Sequence, residues 1–281
     1  MSITSNLNLW LEDMFNDQTG IKVRVRDVLH AENTPFQRIA VYDTVAFGRV
    51  LTLGGSIAIT DSDESIYSEM LVHPALTTTD KVERVLVLGG GDGGVAREVL
   101  RYPGVKKVTV VEIDRQVVDV CRKWFPESAS SFDDPRVELV IDDAHRYLAT
   151  CTELFDAIIV DAGELDDTAS DDFYDRTFAD TVFARLREGG VLTSPLGDPV
   201  FESDTCRSAL RKLKGRLPSH TYLMSVPSYP GSQWAVAWCG AGDHRKVVSM
   251  PTKPETLTAW TPELQPAMFV LPKDVARHLG Y

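Results

Sequence analysis

The apolar positions change rhythm once along the chain. In "IKVRVRDVLH" (21–30) and "RIAVYDTVAFGRVLTLGGSIAIT" (38–60), apolar and polar residues alternate between glycine breaks. A period of two is the spacing of strands with one buried face. It predicts a small antiparallel β region over roughly residues 20–60. "DESIYSEMLVHPAL" (63–76) then reads as a helix that Asp63 can cap, with Ile66, Met70 and Leu71 on its buried face. From Val82 onward short apolar runs alternate with amphipathic ones. The strands are "RVLVLG", "KVTVVEID", "RVELVID", "FDAIIVDA" and "GGVLTSPLG"; the helices include "VAREVLRY", "RQVVDVCRKWF", "AHRYLATC" and "DDFYDRTFADTVFARLRE". Continuous apolar strands alternating with such helices imply a parallel sheet covered on both faces. "TYLMSVPS" and "QWAVAWCG", joined by a short loop, read as a late antiparallel pair. The expected architecture is α/β: an N-terminal β-strand domain over 1–62 and a doubly wound, Rossmann-like domain over 63–281.

Composition narrows the class of partner. The chain has 281 residues, 43% apolar and 25% charged, with a net charge of -12. These are ordinary values for a globular protein with a sizeable core. The acidic balance disfavours nucleic acid and anionic membrane and favours cations. Cys121, Cys151, Cys206 and Cys239 are scattered without CxxC pairs, and the six histidines lack zinc-ligand spacing. They read as reduced thiols of a cytoplasmic protein without a metal. The first residues lack the basic and apolar regions of a signal peptide, and no stretch has the ~20 apolar residues of a membrane span.

Ligands of a doubly wound sheet sit at the carboxyl ends of its strands. The first strand ends in Gly89-Gly90-Gly91-Asp92-Gly93-Gly94, the second in Glu112-Ile113-Asp114, the third in Asp142-Asp143, and the fourth in Asp161-Ala162-Gly163-Glu164. A glycine turn followed at the next strand end by an acid is a nucleoside-binding pattern. Gly89 and Gly91 let the backbone approach the ligand, Glu112 can accept from both ribose hydroxyls, Asp143 suits an adenine amino group, and Asp142 beside it is a further candidate for the nucleoside. The plainer roles are a helix cap for Asp143 and a solvent-facing or capping carboxylate for Glu112. A dinucleotide is disfavoured, because its pyrophosphate would meet Asp92 at the helix start. A sulfonium nucleoside with a free amine suits that carboxylate better. Asp161 directly follows the buried run "AIIV" and is a candidate for the reacting centre, whereas Asp166 to Asp175 read as a solvated loop and an acidic helix start.

From about Phe36 to the C-terminus the chain resembles the polyamine aminopropyltransferases, the spermidine synthase family. The motifs that carry the resemblance are "PFQRIAVYDT", "GRVLTLGGSIAITDSDESIYSEMLVHPAL", "VLVLGGGDGGVAREVL", "VTVVEIDRQVVDVCRKWFP", "DPRVELVIDDA", "FDAIIVDA", "SYPGSQWAV" and "AMFVLPKDVARHL", in order. The resemblance implies transfer of the aminopropyl group of decarboxylated S-adenosylmethionine to a polyamine-type amine, putrescine or a related one. Methylthioadenosine is released, and no cofactor is needed. Asp92 would receive the donor's amine and repel the carboxylate of ordinary S-adenosylmethionine. Gln37, Glu112 and Asp143 would hold the nucleoside. Asp161, with Tyr67 and Tyr229, would hold the acceptor amine and take or relay its proton. His73 would lie near that amine; its plainer role is that of a satisfied helix-end histidine, as Tyr67 and Tyr229 could be packing aromatics. A homodimer or homotetramer is expected, since the N-terminal region is too small for a core of its own and its hairpin edges are open.

Departures from the family pattern fall on the acceptor side. The usual Asp-Ser-Ser-Asp-Pro is Asp161-Ala162-Gly163-Glu164-Leu165, so the second acid becomes the longer Glu164. Tyr-Gln becomes Tyr67-Ser68, and a Gln-containing stretch becomes "SPLGDP", which adds Asp198. These changes leave the identity of the acceptor open. Two rival readings share the scaffold: an S-adenosylmethionine-dependent N-methyltransferase, against which Asp92 argues, and a non-catalytic polyamine or nucleoside binder, against which Asp161, Tyr67 and Tyr229 argue.

Overall fold

The computed structural model describes residues 8–14, 19–162, 176–213, 216–231 and 233–281. Two sheets carry the architecture. The first is a five-stranded antiparallel meander of β1 (Leu9–Met14), β2 (Gly20–Asn33), β3 (Arg38–Thr44), β4 (Gly48–Leu53) and β5 (Ser56–Thr60), paired in chain order. The turn from β4 to β5 is Gly54-Gly55, with φ of 65° and 107°. Two successive positive φ values are what a two-residue hairpin needs, and glycine supplies them without strain.

The first strand lies outside the 20–60 region that the alternation predicts. Its pattern was masked by an acid at an inward position. Asp13 is buried and accepts a hydrogen bond from the Ile57 backbone N–H at 2.7 Å. Burial pushes its carboxyl above the ordinary carboxylate range.

The second sheet has seven strands: β6 (Arg84–Gly89), β7 (Lys107–Glu112), β8 (Val137–Ile141), β9 (Phe155–Asp161), β10 (Leu186–Gly197), β11 (Ser219–Ser225) and β12 (Gln233–Gly240). Their order is β11-β12-β10-β9-β6-β7-β8. The strands from β8 to β10 pair in parallel, and β12 runs antiparallel between β10 and β11. The predicted hairpin is thus present, and the sheet is mixed rather than wholly parallel. The chain runs outward from β6 to β8 and then returns to the other side of β6. The strand order therefore reverses between β6 and β9, where an open α/β sheet forms its ligand crevice.

The helices are α1 (Glu64–Leu76), α2 (Gly94–Val99), α3 (Arg115–Trp124), α4 (Pro126–Ala129), α5 (Ala144–Thr150), α6 (Arg176–Ala184), α7 (Ser203–Leu213), α8 (Leu264–Met268) and α9 (Lys273–His278). Alternate residues of each central strand enter opposite cores. Val85, Val87 and Ile159 join α1 to α3 in one cluster, while Leu86, Leu88 and Ile158 join α5 to α7 in the other. Ile39, Val41, Leu51 and Ile59 of the small sheet belong to the first of these cores, and only Val23, Val50 and Ile57 form a separate nucleus. The N-terminal sheet therefore shares the core of the larger domain more than it builds one of its own. That helix is buried from Ser68 to Leu76, so the predicted buried face is the whole circumference of its second half. Leu186 to Glu188, read above as the end of a helix, begin β10 instead. Among the described residues no helix is long and apolar enough to cross a membrane.

Candidate active site

The reversal between β6 and β9 brings the glycine turn against Asp161. Gly89 pairs with Asp161 across the two strands, and the Gly90 N–H donates to the Asp161 carbonyl at 3.1 Å. Gly89 and Gly90 have φ of 86° and 76°. A Cβ on Gly89 would lie 2.1 Å from the Asp161 carbonyl oxygen, and one on Gly91 would lie 2.8 Å from Glu112 Oε2. The glycines are thus required by two carboxylate-bearing residues of the protein itself, before any ligand is considered.

Each carboxylate around this turn is held by backbone. Glu112 accepts from the N–H of Gly91 at 3.1 Å and of Asp114 at 2.9 Å, one on each oxygen. It is nearly enclosed, and burial pushes its carboxyl up to about 7. Asp92 Oδ1 accepts from the Gly94 N–H at 2.7 Å. Burial, with the charge of neighbouring Glu64, pushes Asp92 up to about 6. Asp114 caps α3 through the Gln116 N–H and also accepts from the Thr34 hydroxyl at 2.7 Å and from Gln37 Nε2 at 3.4 Å. Gln37 therefore reaches the second strand end from the small sheet.

Asp161 is the centre of the remaining group. The Tyr67 hydroxyl donates to its Oδ1 at 2.9 Å. Its Oδ2 is buried and has no hydrogen-bond partner among the described residues. Burial raises the Asp161 carboxyl well above its ordinary range, the nearby Asp92 charge adds to this, and the Tyr67 hydroxyl opposes it. The Tyr67 ring meets Tyr229 edge-on at 5.8 Å, and Tyr229 meets Trp234 at 5.0 Å. The Tyr229 hydroxyl donates to the Ala58 carbonyl of β5 at 2.9 Å. Both phenols are raised well above their ordinary value, chiefly by burial, and so stay neutral donors. A carboxylate with an unused buried oxygen beside aromatic faces is arranged to receive an organic cation.

The other residues singled out in the sequence have different surroundings. Asp143 caps α5 by accepting from the Arg146 N–H, a role compatible with a ligand on its second oxygen. Asp142 is paired with the Arg146 side chain. His73 is fully buried, with Nδ1 at 2.9 Å from the Tyr102 hydroxyl and Nε2 at 3.2 Å from Glu98. Nδ1 is thereby committed to Tyr102, and Nε2 faces the Glu98 carboxylate. Asp198 is buried and accepts from the N–H groups of Val200 and Phe201 at 2.7 and 2.8 Å, so its carboxylate closes a turn. Asp63 does not cap α1; it accepts from the Thr60 hydroxyl and from the N–H and hydroxyl of Ser228, tying the helix start to the segment that carries Tyr229. Glu164 lies outside the described residues.

Sequence reasoning missed Glu64 and Arg97. Glu64 opens α1 and Arg97 ends the first turn of α2, and they pair at 2.8 Å directly behind Asp92. Each had the look of a solvated helix charge. The available signal was the small Ser68 one turn after Glu64, whose hydroxyl donates to Glu64 Oε1 at 2.6 Å.

Known proteins match this chain along nearly its whole length. A family model described as "Spermidine synthase tetramerisation domain" matches residues 9–61, and one described as "Spermine/spermidine synthase domain" matches 64–247. A polyamine aminopropyltransferase of Desulforudis audaxviator is 37% identical over 273 residues, covering 96% of this chain and 98% of that protein. A spermidine synthase solved in complex with the transition-state analogue AdoDATO superposes with a TM-score of 0.92 at 28% identity, covering 100% of this chain and 98% of that one. The spermidine synthase of Thermotoga maritima gives 0.90 at 28% identity, over 100% and 97%. Two family models in register with the two sheets, and relatives matching from end to end, agree: the chain belongs to the spermine/spermidine synthase family and is a transferase.

Proposed function

We propose that the protein transfers the aminopropyl group of decarboxylated S-adenosylmethionine to a polyamine-type amine, putrescine or a related one, and releases methylthioadenosine. The observation that carries this reading is the pairing of two half-buried carboxylates at one strand reversal. Asp92 lies inside the glycine turn, and Asp161, with one oxygen unused, lies against Tyr67. The donor has a positive charge at sulfur and another at its amine. Glu112 is placed for the ribose hydroxyls, with Gln37 and Asp143 toward the rest of the nucleoside, and Asp92 for the amine.

The acceptor arrives as an ammonium with a pKa of about 10. Asp161, held by Tyr67, binds it and accepts or relays one proton; a carboxyl raised by burial is a better base than an ordinary one. The freed nitrogen lone pair then attacks the aminopropyl carbon bound to sulfur. The C–N bond forms as the C–S bond breaks, and the C–S electron pair neutralises the sulfonium to a thioether. The sulfonium is already activated, so the protein's remaining contribution is alignment of nitrogen, carbon and sulfur.

The protein is further inferred to act in the cytoplasm as a homodimer or homotetramer. The match of residues 9–61 to a domain described by tetramerisation supports assembly through the small sheet. The exposed Trp10, Met14, Val28 and Val45 on that sheet support it too. Incubation with decarboxylated or ordinary S-adenosylmethionine and a panel of amines, with mass spectrometry of the products, tests the reaction. Aminopropylated amine and methylthioadenosine from the decarboxylated donor are expected. Methylated amine, or no product with any amine, would overturn the reading.

A further inference from the structure

Arg97 introduces a positive charge beside a carboxylate that should greet a cation. Its guanidinium is held by other partners. Nη1 and Nη2 donate to the two oxygens of Glu64 at 2.8 and 3.2 Å, Nε donates to Glu98 at 2.8 Å, and Nη1 also donates to Ser128 at 3.1 Å. Glu64 itself stands immediately next to Asp92. A Cβ on Gly94 would lie 2.0 Å from Glu64 Oε1, 2.5 Å from Ser68 Oγ and 2.8 Å from Asp92 Oδ1, so three polar groups converge where the side chain is absent.

Geometry of this kind matters because a two-pronged carboxylate–guanidinium pair is directional and strong. With Glu64 in place, its charge and that of Arg97 cancel locally, and Asp92 keeps one uncompensated charge toward the crevice. Without Glu64, the freed fork of Arg97, whose Nε already holds Glu98, can swing to Asp92, whose charge it already offsets in part. A guanidinium there would offset Asp92 and also offer an attractive partner to a carboxylate-bearing donor.

We propose that Glu64 is a positioning residue for donor selection, which by engaging Arg97 keeps Asp92 free to bind the donor's ammonium and to repel a carboxylate in its place. The inference rests on the reading of Asp92 given above. It assigns to α1 a part in choosing the donor, besides carrying Tyr67 toward Asp161.

The test is calorimetric binding of decarboxylated S-adenosylmethionine, S-adenosylmethionine and methylthioadenosine to four proteins: the unaltered chain, Asp92→Asn, Glu64→Gln, and Glu64→Gln combined with Arg97→Gln. Methylthioadenosine lacks the amine, so it reports the integrity of the nucleoside site. Glu64→Gln should lower the affinity ratio of decarboxylated to ordinary donor by roughly tenfold, as loss of one charged contact does. Methylthioadenosine binding should stay within about twofold. The double variant, with both charges removed, should recover most of the ratio, a result that a merely structural role cannot give. A Glu64→Gln protein that weakens all three ligands in parallel, or keeps the ratio, would overturn the proposal, as would a double variant no better than the single one. If Glu64→Gln does not fold, Glu64→Asp carries the test: the retained charge should hold the ratio within about threefold, and a larger loss overturns the proposal. An Asp92→Asn protein with an unchanged ratio would instead refute the reading of Asp92 itself.

Discussion

The two halves of the crevice are built in different ways. On the function proposed above, the donor half, Gln37 and Asp143 apart, runs from Gly89 to Asp114, and its acids are fixed by backbone N–H groups of the same β-α-β unit. The acceptor half is assembled from distant segments. Tyr67 on α1 meets Asp161 at the end of β9, 94 residues away, and Tyr229 is anchored to Ala58, 171 residues away. A local unit leaves few ways to change one residue without disturbing the turn, because the glycines and carboxylates fill one another's space. An assembled half can change one segment at a time. Of the departures from the family pattern, Ala162 directly follows Asp161 in that second half, whereas Ser68 bonds Glu64 beside Asp92 and Asp198 closes a turn after β10. On the function proposed above, the donor is held by one local motif and the acceptor by contacts between distant segments.

The sharpest way to break the comparison is at Asp161. Asp161→Asn keeps the shape and the Tyr67 contact but removes the base and the charge that grips the ammonium. Turnover should fall by about 10²–10⁴, while the donor's affinity changes little. Steady-state kinetics with a saturating amine checks this. Near-normal turnover would move the reacting centre elsewhere.

Asp92→Asn probes the donor half in isolation. The affinity for decarboxylated S-adenosylmethionine should fall by roughly 10- to 100-fold, the equivalent of a charged hydrogen bond worth about 1.5–3 kcal/mol. Methylthioadenosine should bind as before. An equal loss for both ligands would mean that Asp92 supports the turn rather than the amine.

Much of the donor half was legible in the sequence because its determinants are local. Strand periodicity located β6 to β9, and the acids directly after each strand had to face the carboxyl-end crevice. The first strand was not legible, because buried Asp13 interrupts the apolar alternation and is satisfied from another strand, by Ser56 and Ile57. Nor were the surroundings of His73 and Asp198, since their partners Glu98, Tyr102, Val200 and Phe201 are defined by packing and turn closure. The pairing of Glu64 with Arg97 joins two helices 33 residues apart, and each charge alone looks like surface.

The pH dependence of donor binding sharpens the same distinction with an effect of about tenfold per unit. Asp92 is raised by burial from the usual ~3.9 to about 6 in the unliganded fold. Its stability contribution is therefore greatest at low pH, where the group is protonated in both states. The contribution falls as pH rises from about 4 to about 6, because the unfolded chain loses the proton first. On the proposed role of Asp92, donor binding requires the ionised form. The affinity for decarboxylated S-adenosylmethionine should drop below pH ~6 relative to that for methylthioadenosine, and the ratio cancels the parallel titration of Glu112. A ratio that is flat from pH 5 to 7.5 in calorimetry would contradict a carboxylate–ammonium contact.

The smallest expected effect lies at Asp198, where resemblance and geometry disagree about which half of the comparison it serves. As a departure from the family pattern after the fifth strand of the large sheet, it is expected among acceptor-binding residues. The structure shows Oδ1 accepting from two backbone N–H groups after β10, while its own N–H donates to Glu202 at 3.2 Å. A carboxylate so used is a turn-closing group. Asp198→Asn keeps an acceptor oxygen and loses only charge, so the amine's KM should change by less than about twofold. Asp198→Ala leaves two N–H groups unsatisfied and should cost about 1 kcal/mol, as loss of a cap does, readable as a lowered Tm. If Asp198→Asn instead raised the amine's KM tenfold with an unchanged Tm, its second oxygen would be reaching the acceptor. The acceptor half would then extend across β10.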